Sequence, residues 1–574
     1  MKNDCPLKLE NAIIKSKSLN KIAWSLLAFS FTAIILLIYN NYPITLSGGV
    51  PSVLQIPFEF WIICVILFTV WSFIFLNTNN AKLLLYGVVI YSFILFCTNL
   101  MFVSPYEQTD RISAYISILS NSNHIDQYEI SLDNYFQWPI FFLMTKIFLE
   151  IGGLSINQVL QIGFFSINLI LPIILLYMFN YEKSGNVQCK IIPIIVYILL
   201  SYTFIVNQYA PQALALLYLF ILYAIYYKYL ISRNNKQIIL LSLMILIYAV
   251  LVLTHPFLFL FFIIPIVIDL LYQYLWKNRS NHINEKKAVR ISGKTAILMV
   301  VIYFAGFLYR FSSIQYKISE LVDQFGTTDG ASWSIISKLY NLNNGIPTVP
   351  SYYPLLESYH YLLSNALKIL LLLFIIIFLY TVFRSSESRN LITSLDKSIL
   401  FSSIGLYIIG LFSIFLGERG IQVAISSIVK PFVNSYSKGS VLFRTLIIVL
   451  LICTPILLVS TSLTNISRSG ESFIEDEEMN AAGYFADNAI PAQSNVLLAE
   501  SIYPVSSSSI GFHRYKSLPL IDEYEIFKDM DFIIKTPKFV LQAQSYGYYY
   551  MIENNSEDFG CIYSNGFSSI RYQR

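Results

Sequence analysis

Charged residues are scarce in this sequence. Asp, Glu, Lys and Arg make up 13% of its 574 residues, while apolar and aromatic residues make up 56%. Soluble domains carry about 25% charged residues, so an ordinary soluble fold is excluded. The basic residues form no clustered patch, which excludes nucleic acid as a partner.

Cysteines are also few. The six of them show neither a CxxC pair nor a metal-ligand spacing, which favours buried thiols over a disulfide framework or a zinc site. No small-residue cleavage site follows the Lys-rich N-terminus, so 22–39 is predicted to be a retained helix.

Long apolar stretches are abundant instead. A helix needs roughly 17–25 apolar residues to cross a bilayer, and such stretches recur along the chain. We therefore predict an all-α polytopic membrane protein of about 13 transmembrane helices. The predicted spans are 22–39, 58–76, 83–102, 156–179, 191–206, 211–230, 238–253, 256–275, 295–309, 367–383, 398–416, 420–434 and 441–460.

Basic residues orient these spans. With the N-terminus inside, the cytoplasmic segments contain 23 Lys and Arg residues, against seven in the external loops before the C-terminal tail. The chain is thus expected in the plasma membrane with a cytoplasmic N-terminus. The weakest span is 420–434, which is short and interrupted by Lys430 and Pro431, and could be tilted or re-entrant.

The C-terminal tail differs in character from the rest. Residues 1–460 form the predicted membrane domain, with large external loops at 103–155 and 310–366, and 461–574 form a predicted extracytoplasmic α/β domain. A helix is predicted at "EDEEMNAAGYFADNA" and strands at "NVLLAES", "DFIIKT" and "KFVLQAQ". "CIYSNGFSSIRY" is typical of a hairpin turning on Asn565-Gly566.

A shorter apolar segment interrupts the first external loop. The stretch from Trp138 to Ile151 has only about 14 residues, and it carries Lys146 and Glu150 at a spacing of four. This pattern suits a helix lying in the outer interface better than a crossing helix.

Polar residues gather at the span ends predicted to be extracytoplasmic, while the span centres are almost free of ionisable groups. A transporter usually keeps such groups near the midplane, whereas an enzyme acting on a lipid-linked substrate needs them at headgroup depth. The candidates are Glu107, Asp110, Arg111, Gln212, His255, Arg310, Glu418 and Arg419.

Structural roles for these residues stay open. Asp110 could be an ordinary loop acid, and the arginines could be interfacial residues that extend toward the headgroups. His255 could cap a helical hairpin, and Gln212 could satisfy backbone groups at the start of its span.

The order of the motifs resembles GT-C type glycosyltransferases of archaea and bacteria, which use polyprenyl-phosphate sugar donors. The matching stretches run from "TDRISAYISIL" and "YFQWPIFFLM" through "PQALALL", "THP" and "ER" to "AAGYFADNAIPAQSNVLLAES" and "IYSNG...IRY". They cover most of the chain. The acidic loop here follows the third span instead of the first, and no "WWDYG" signature of oligosaccharyltransferases occurs, which disfavours en bloc transfer to Asn.

The resemblance implies transfer of a single sugar from the polyprenyl-phosphate donor to a lipid, glycan or protein acceptor, by an inverting mechanism. Asp110, with Glu107, is the expected catalytic carboxylate, because transfer to a hydroxyl needs a base. Arg419, Arg310 and Arg111 are expected to contact the phosphate, and Gln212, His255 and Glu418 to position substrate. Glu107 and Asp110 could also hold Mg²⁺ or Mn²⁺, although two carboxylates do not establish a metal site.

Three other functions remain open. An O-antigen type glycan polymerase or ligase uses similar chemistry with another acceptor. A lipid or glycan transporter would be favoured by charges at the midplane. A non-catalytic scaffold would use the tail as a docking module.

Overall fold

The computed structural model describes the segments that form helices and strands, with a few single residues left out inside them. The described ranges are 21–40, 56–77, 80–101, 138–179, 194–198, 211–276, 291–308, 394–410, 420–427, 495–498, 514–517, 532–535, 559–564 and 569–573, together with residues 369 and 376.

Apolar helices dominate the described residues. They are α1 (Trp24–Asn40), α2 (Phe58–Asn77), α3 (Ala81–Phe96), α4 (Pro139–Gly152), α5 (Ile156–Phe179), α6 (Pro211–Ile231), α7 (Asn235–Thr254), α8 (Leu260–Trp276), α9 (Gly293–Leu308) and α10 (Ser394–Gly410). Two stretches are long and apolar enough to cross a membrane. They are Pro211–Leu230 in α6 and the whole of α7, and each has 20 residues.

The predicted helical segments are confirmed wherever the structure describes them. All of these helices except α4 coincide with predicted spans, with starts shifted by up to four residues. The shift at α3 has a clear cause, because Asn80 Oδ1 accepts the N–H groups of Lys82 and Leu83 and so begins the helix at Ala81. The predicted spans 367–383 and 441–460, and most of 191–206 and 420–434, lie outside the described residues, so the number of spans stays a prediction.

The first and third helices run in the same direction. Trp24 of α1 lies against Tyr86 of α3 with ring centroids 5.7 Å apart, and Phe31 lies against Phe93 at 5.6 Å. From the first contact to the second, the sequence advances by seven residues in each helix, so α1 and α3 run parallel. This is the arrangement expected of the first and third of three consecutive spans.

Helices α6 and α7 form an antiparallel hairpin. The N–H of Ser232 bonds to the carbonyls of Lys228 and Tyr229 and closes α6, and α7 begins three residues later. The two helices pack closely along their lengths. The start of α6, with Gln212, therefore lies at the same end as the close of α7, with His255. We call this the His255 end.

The opposite end of the same hairpin is marked by a long-range hydrogen bond. The hydroxyl of Tyr227, on α6, donates to Asp396 Oδ1 near the start of α10. Tyr227 is 16 residues after Pro211, which places it about 24 Å along α6 from the His255 end. We call this second region the Asp396 end.

Helix α9 joins the bundle beside α7. A Cβ added at Gly306 would lie 3.1 Å from Val252 Cγ1, so glycine permits the close approach of the two helices there. Tyr303 also stacks on Phe259 with centroids 4.0 Å apart. The C-terminal turns of α9 therefore lie at the His255 end, two residues before Arg310 in the sequence.

Five short strands in the tail form a mixed sheet, β1 (Asn495–Leu498), β2 (Arg514–Ser517), β3 (Phe532–Lys535), β4 (Phe559–Ser564) and β5 (Ser569–Gln573), in the order β2-β1-β3-β5-β4. The predicted strands at β1 and β3 and the β4–β5 hairpin are confirmed. Strand β2 was not predicted, and it pairs parallel to β1. The predicted helix at 475–489 and the strand at 538–544 lie outside the described residues, and the α/β domain as a whole stays a prediction.

Candidate functional site

The structure describes two of the eight predicted site residues, and it brings them to one end of the bundle. Gln212 and His255 both lie at the His255 end. The other six lie outside the described residues, namely Glu107, Asp110, Arg111, Arg310, Glu418 and Arg419. Their convergence with Gln212 and His255 stays a prediction.

His255 occupies the turn that joins α7 to α8. Its backbone N–H bonds to the Leu251 carbonyl at 3.1 Å, which makes it the last residue held by α7. Tyr248, seven residues before it, meets Phe262, seven residues after it, with ring centroids 6.1 Å apart. The chain therefore turns back at His255, so that the last turns of α7 meet the first turn of α8.

The imidazole of His255 holds this turn together. Its Nδ1 accepts the backbone N–H of Phe257 at 3.2 Å, in the manner of an N-cap residue. Tight turns follow, in which Leu260 bonds to Phe257 and Phe261 bonds to Leu258, before regular α8 begins. The capping role considered for His255 in the sequence is thus confirmed for one of its two ring nitrogens.

This hydrogen bond also defines the protonation of the ring. A nitrogen that accepts an N–H carries a lone pair, so this hydrogen bond requires an unprotonated Nδ1. The residue is only 6% exposed, in a part of the bundle lined by aromatic and aliphatic side chains. His255 is therefore held by the backbone of its own turn in a nearly dry site.

Gln212 is the second residue of α6 and is half-buried. Pro211 before it occupies the first helical position, where its missing N–H costs no hydrogen bond. The first backbone N–H groups of a helix point out of its N-terminus and favour negative charge. The Gln212 side chain thus lies beside backbone donors that suit an anionic group.

Helix α4 has the surface of an interfacial helix. Phe141, Phe142 and Thr145 are buried, and the helix packs on α5 and α7. A different face exposes apolar side chains, with Lys146 and Glu150 paired at 3.6 Å on its flank. Gly153, in the left-handed conformation with φ 60°, ends the helix. The exposed apolar side chains are Leu143, Ile147, Phe148 and Ile151.

The sequence analysis missed two buried carboxylates. Asp269 in α8 is fully buried, and Asp396 in α10 is 1% exposed and accepts from Tyr227. Asp269 could have been found as the single acid in the apolar run "IIPIVIDLL". Asp396 precedes the predicted span 398–416, but α10 begins at Ser394, and Asp396 is buried in its first turn.

A metal centre is not defined by the part of the chain that the structure describes. Within it, no three His, Cys, Asp or Glu side chains come together in a way that could hold an ion. The pair considered from the sequence, Glu107 and Asp110, lies outside it, so a Mg²⁺ or Mn²⁺ site there stays a prediction.

No protein-family model and no curated protein sequence matches the chain. Several solved structures do match, among them the oligosaccharyltransferase of Archaeoglobus fulgidus. Its complex with Zn and sulfate has 9% identity and a TM-score of 0.41, covering 76% of this chain and 64% of that chain. Its apo form has 11% identity and a TM-score of 0.43, with 76% and 66% covered.

A further matching structure is the archaeal oligosaccharyltransferase from the same organism in complex with an inhibitory peptide and a dolichol-phosphate. It has 10% identity and a TM-score of 0.39, covering 76% of this chain and 66% of that chain. The chain thus spans just under two thirds of the length of these structures.

Proposed function

We propose that this protein is a membrane glycosyltransferase that transfers a sugar from a polyprenyl-phosphate donor to an acceptor at the extracytoplasmic face. The observation that carries the proposal is the meeting of two sequence-distant motifs at one end of the bundle. "PQALALL" supplies Gln212 and "THP" supplies His255, and α6 and α7 place both at the His255 end. A shared substrate would require this placement.

The distribution of lysines supports an extracytoplasmic His255 end. Lys228 closes α6, Lys236 opens α7, Lys294 opens α9, and Lys397 follows Asp396. All four lie at the Asp396 end. Lysines collect on the cytoplasmic side of membrane proteins, so the His255 end would face outward.

The proposed chemistry assigns roles to the remaining residues. Asp110, with Glu107, would take the acceptor proton, and Arg419, Arg310 and Arg111 would contact the departing phosphate. Glu418 would help to position substrate. Attack by the acceptor on the face opposite the phosphate would invert the anomeric carbon. A divalent ion held by Glu107 and Asp110 would add charge stabilisation.

Helix α4 supports a substrate that resides in the membrane. Its exposed apolar face suits the boundary between acyl chains and headgroups, and its flanking ion pair suits the headgroup layer. It packs on α7, the helix that ends at His255. A polyprenyl chain could therefore lie beside the bundle while its phosphate reaches the His255 end.

One observation favours a second function. Asp269 is fully buried within α8, and carboxylates inside membrane helices often mark transport pathways. A lipid or glycan transporter is therefore the second candidate, with Asp269 and Asp396 as its functional groups.

A single reconstitution distinguishes the two candidates. The purified protein in liposomes is given radiolabelled mannosyl- and glucosyl-phosphoryl-undecaprenol together with lipid, glycan and sequon-peptide acceptors. Transfer of label to an acceptor supports the glycosyltransferase. Movement of the labelled lipid between leaflets without any transfer would instead support the transporter and overturn the proposal.

A further inference from the structure

Helix α8 contains a proline within its predicted membrane span. Pro265 is the sixth residue of α8 and is buried. Because proline has no N–H, the carbonyl four residues earlier, that of Phe261, lacks the donor that a regular α-helix would give it. Inside a bilayer no water is present to bond to such a carbonyl, so another part of the protein has to supply a donor.

A tyrosine of another helix supplies this donor. The hydroxyl of Tyr223, on α6, donates a hydrogen bond to the Phe261 carbonyl. Both residues are fully buried, and the Tyr223 ring also packs on Phe262 with ring centroids 5.6 Å apart. The hydroxyl therefore takes the place of the N–H that Pro265 lacks.

We propose that Tyr223 is a positioning residue for the His255 end, in that its hydroxyl replaces the missing N–H of Pro265 and so fixes the start of α8 against α6. Phe261 bonds to the Leu258 carbonyl in the tight turns that follow His255, so the bond from Tyr223 reaches the turn through the backbone. The effect on α8 stands on the structure alone. The effect on binding of the lipid donor rests on the proposed function.

The bond from Tyr223 differs from the bond that it replaces. An N–H at position 265 would join two residues of α8, whereas the Tyr223 hydroxyl joins α8 to α6, the helix that begins beside Gln212. The proline thus exchanges a hydrogen bond within one helix for a hydrogen bond between two. As a result, the place of the α7–α8 turn is set relative to α6, whose first turn lies at the same end of the bundle.

Two substitutions and their combination test this exchange. Tyr223→Phe removes the hydroxyl and leaves the Phe261 carbonyl without its donor. Pro265→Ala returns an N–H that can bond to the same carbonyl, so the double variant Tyr223→Phe/Pro265→Ala should recover.

Tyr248→Phe is the matched control. Tyr248 is also fully buried and also packs on Phe262, with ring centroids 6.1 Å apart. Within the part of the chain that the structure describes, however, its hydroxyl makes no hydrogen bond. The control therefore removes the same group from the same kind of surroundings without removing a bond.

The measurements are the hydrogen–deuterium exchange of the segment 257–264 in the full chain and the KM for mannosyl-phosphoryl-undecaprenol. Tyr223→Phe should exchange faster by roughly 5- to 150-fold, the factor that corresponds to a buried carbonyl left without a donor. It should raise the KM by roughly 2- to 30-fold, as a residue does that acts through packed neighbours. In the double variant, in Pro265→Ala and in Tyr248→Phe, both quantities should stay close to those of the wild type.

Three results would overturn the proposal. They are an effect of Tyr223→Phe that is equally large with and without Pro265→Ala, an equal effect of Tyr248→Phe, and faster exchange in Tyr223→Phe with an unchanged KM. If Tyr223→Phe does not fold, the yield of folded double variant decides instead, and a failure to recover folded protein overturns the proposal.

The proposed function can fail separately. If the wild type transfers no sugar, binding of undecaprenyl phosphate is measured in place of the KM. Binding that is weakened by Tyr223→Phe and restored by Pro265→Ala would then support the inference without the proposed function. Equal binding by the wild type and Tyr223→Phe would overturn the inference.

Discussion

The buried polar side chains at the two ends of the α6–α7 hairpin make their hydrogen bonds in different ways. At the Asp396 end a carboxylate from a distant helix meets the Tyr227 hydroxyl, so two side chains satisfy each other across the bundle. At the His255 end the buried side chain bonds to its own backbone, two residues on. The first arrangement joins helices, while the second shapes a turn.

This contrast separates residues expected to serve stability from residues expected to serve function. A polar pair that links two helices gains from being closed and dry. The His255 cap, by contrast, joins residues only two positions apart within one turn. Substitutions at the Asp396 end should therefore lower stability, and substitutions at the His255 end should chiefly lower activity.

The largest expected effect belongs to Asp110. Asp110→Asn should reduce transfer by roughly 10²–10⁴-fold, because the acceptor would lose its base. Initial rates at matched expression and saturating donor measure this effect. Asp133→Asn in the same predicted loop is the control and should retain activity. Full activity in Asp110→Asn would remove this residue from catalysis and leave it an ordinary loop acid.

The second-largest expected effect belongs to Arg419. Arg419→Ala should raise the KM for the donor by roughly 10- to 100-fold, because charge-assisted hydrogen bonds to phosphate would be lost. Arg419→Lys should be affected less, since the charge survives without the bidentate geometry. Titration of donor at fixed acceptor gives the KM values. Equal KM values for the Ala variant and the wild type would contradict a phosphate contact.

At the Asp396 end the expected effect is on stability. Tyr227→Phe should lower the free energy of unfolding by about 1–3 kcal/mol, because a buried carboxylate loses a hydrogen bond. The KM for the donor should stay unchanged. Thermal unfolding in detergent measures the first quantity and the transfer assay measures the second. A raised KM with unchanged stability would mean that this end also handles substrate, as the transporter candidate requires.

A coupled test sharpens the same comparison. In the double variant Tyr227→Phe/Asp396→Asn, the loss should be smaller than the sum of the two single losses, because the two groups bond to each other. Additive losses would show that the two side chains act independently.

Single cysteine substitutions that report on membrane topology have the smallest expected effect, because they should leave sugar transfer unchanged. In a cysteine-free background, Ser232→Cys beside the Asp396 end should react with an impermeant maleimide only after lysis. Ser556→Cys in the tail should react on intact cells. Reaction of Ser232→Cys on intact cells would contradict the outward orientation of the His255 end. Reaction of Ser556→Cys only after lysis would contradict the predicted number of spans.

Much of the helical architecture was predictable because apolar length is a strong signal. Helix α5 has the bounds predicted from its apolar run alone. Strand β2, "RYKS", escaped prediction because it is short and polar, and its place depends on pairing with β1. The burial of Asp396 was not predicted for a related reason, because its hydrogen-bond partner Tyr227 is 169 residues away in the sequence.

The candidate site was predictable only in part. The position of His255 before a proline in an apolar turn was enough to single it out, and the capping role follows from local sequence. The choice of Phe257 as the hydrogen-bond donor to Nδ1 does not, because only the structure provides that contact. The grouping of Gln212 with His255 required the hairpin of α6 and α7 and so depended on the predicted spans being right.

The short turn at His255 also sets the rotational phase of α8. The N–H of His255 bonds to the backbone of α7, and the His255 side chain accepts the N–H of Phe257. The orientation of each side chain of α8 about the helix axis therefore depends on the length of this turn. One residue inserted after His255 would rotate α8 by about 100° and would turn Asp269 away from the interior. The turn is therefore a position at which chain length itself is constrained, independently of which residues fill it.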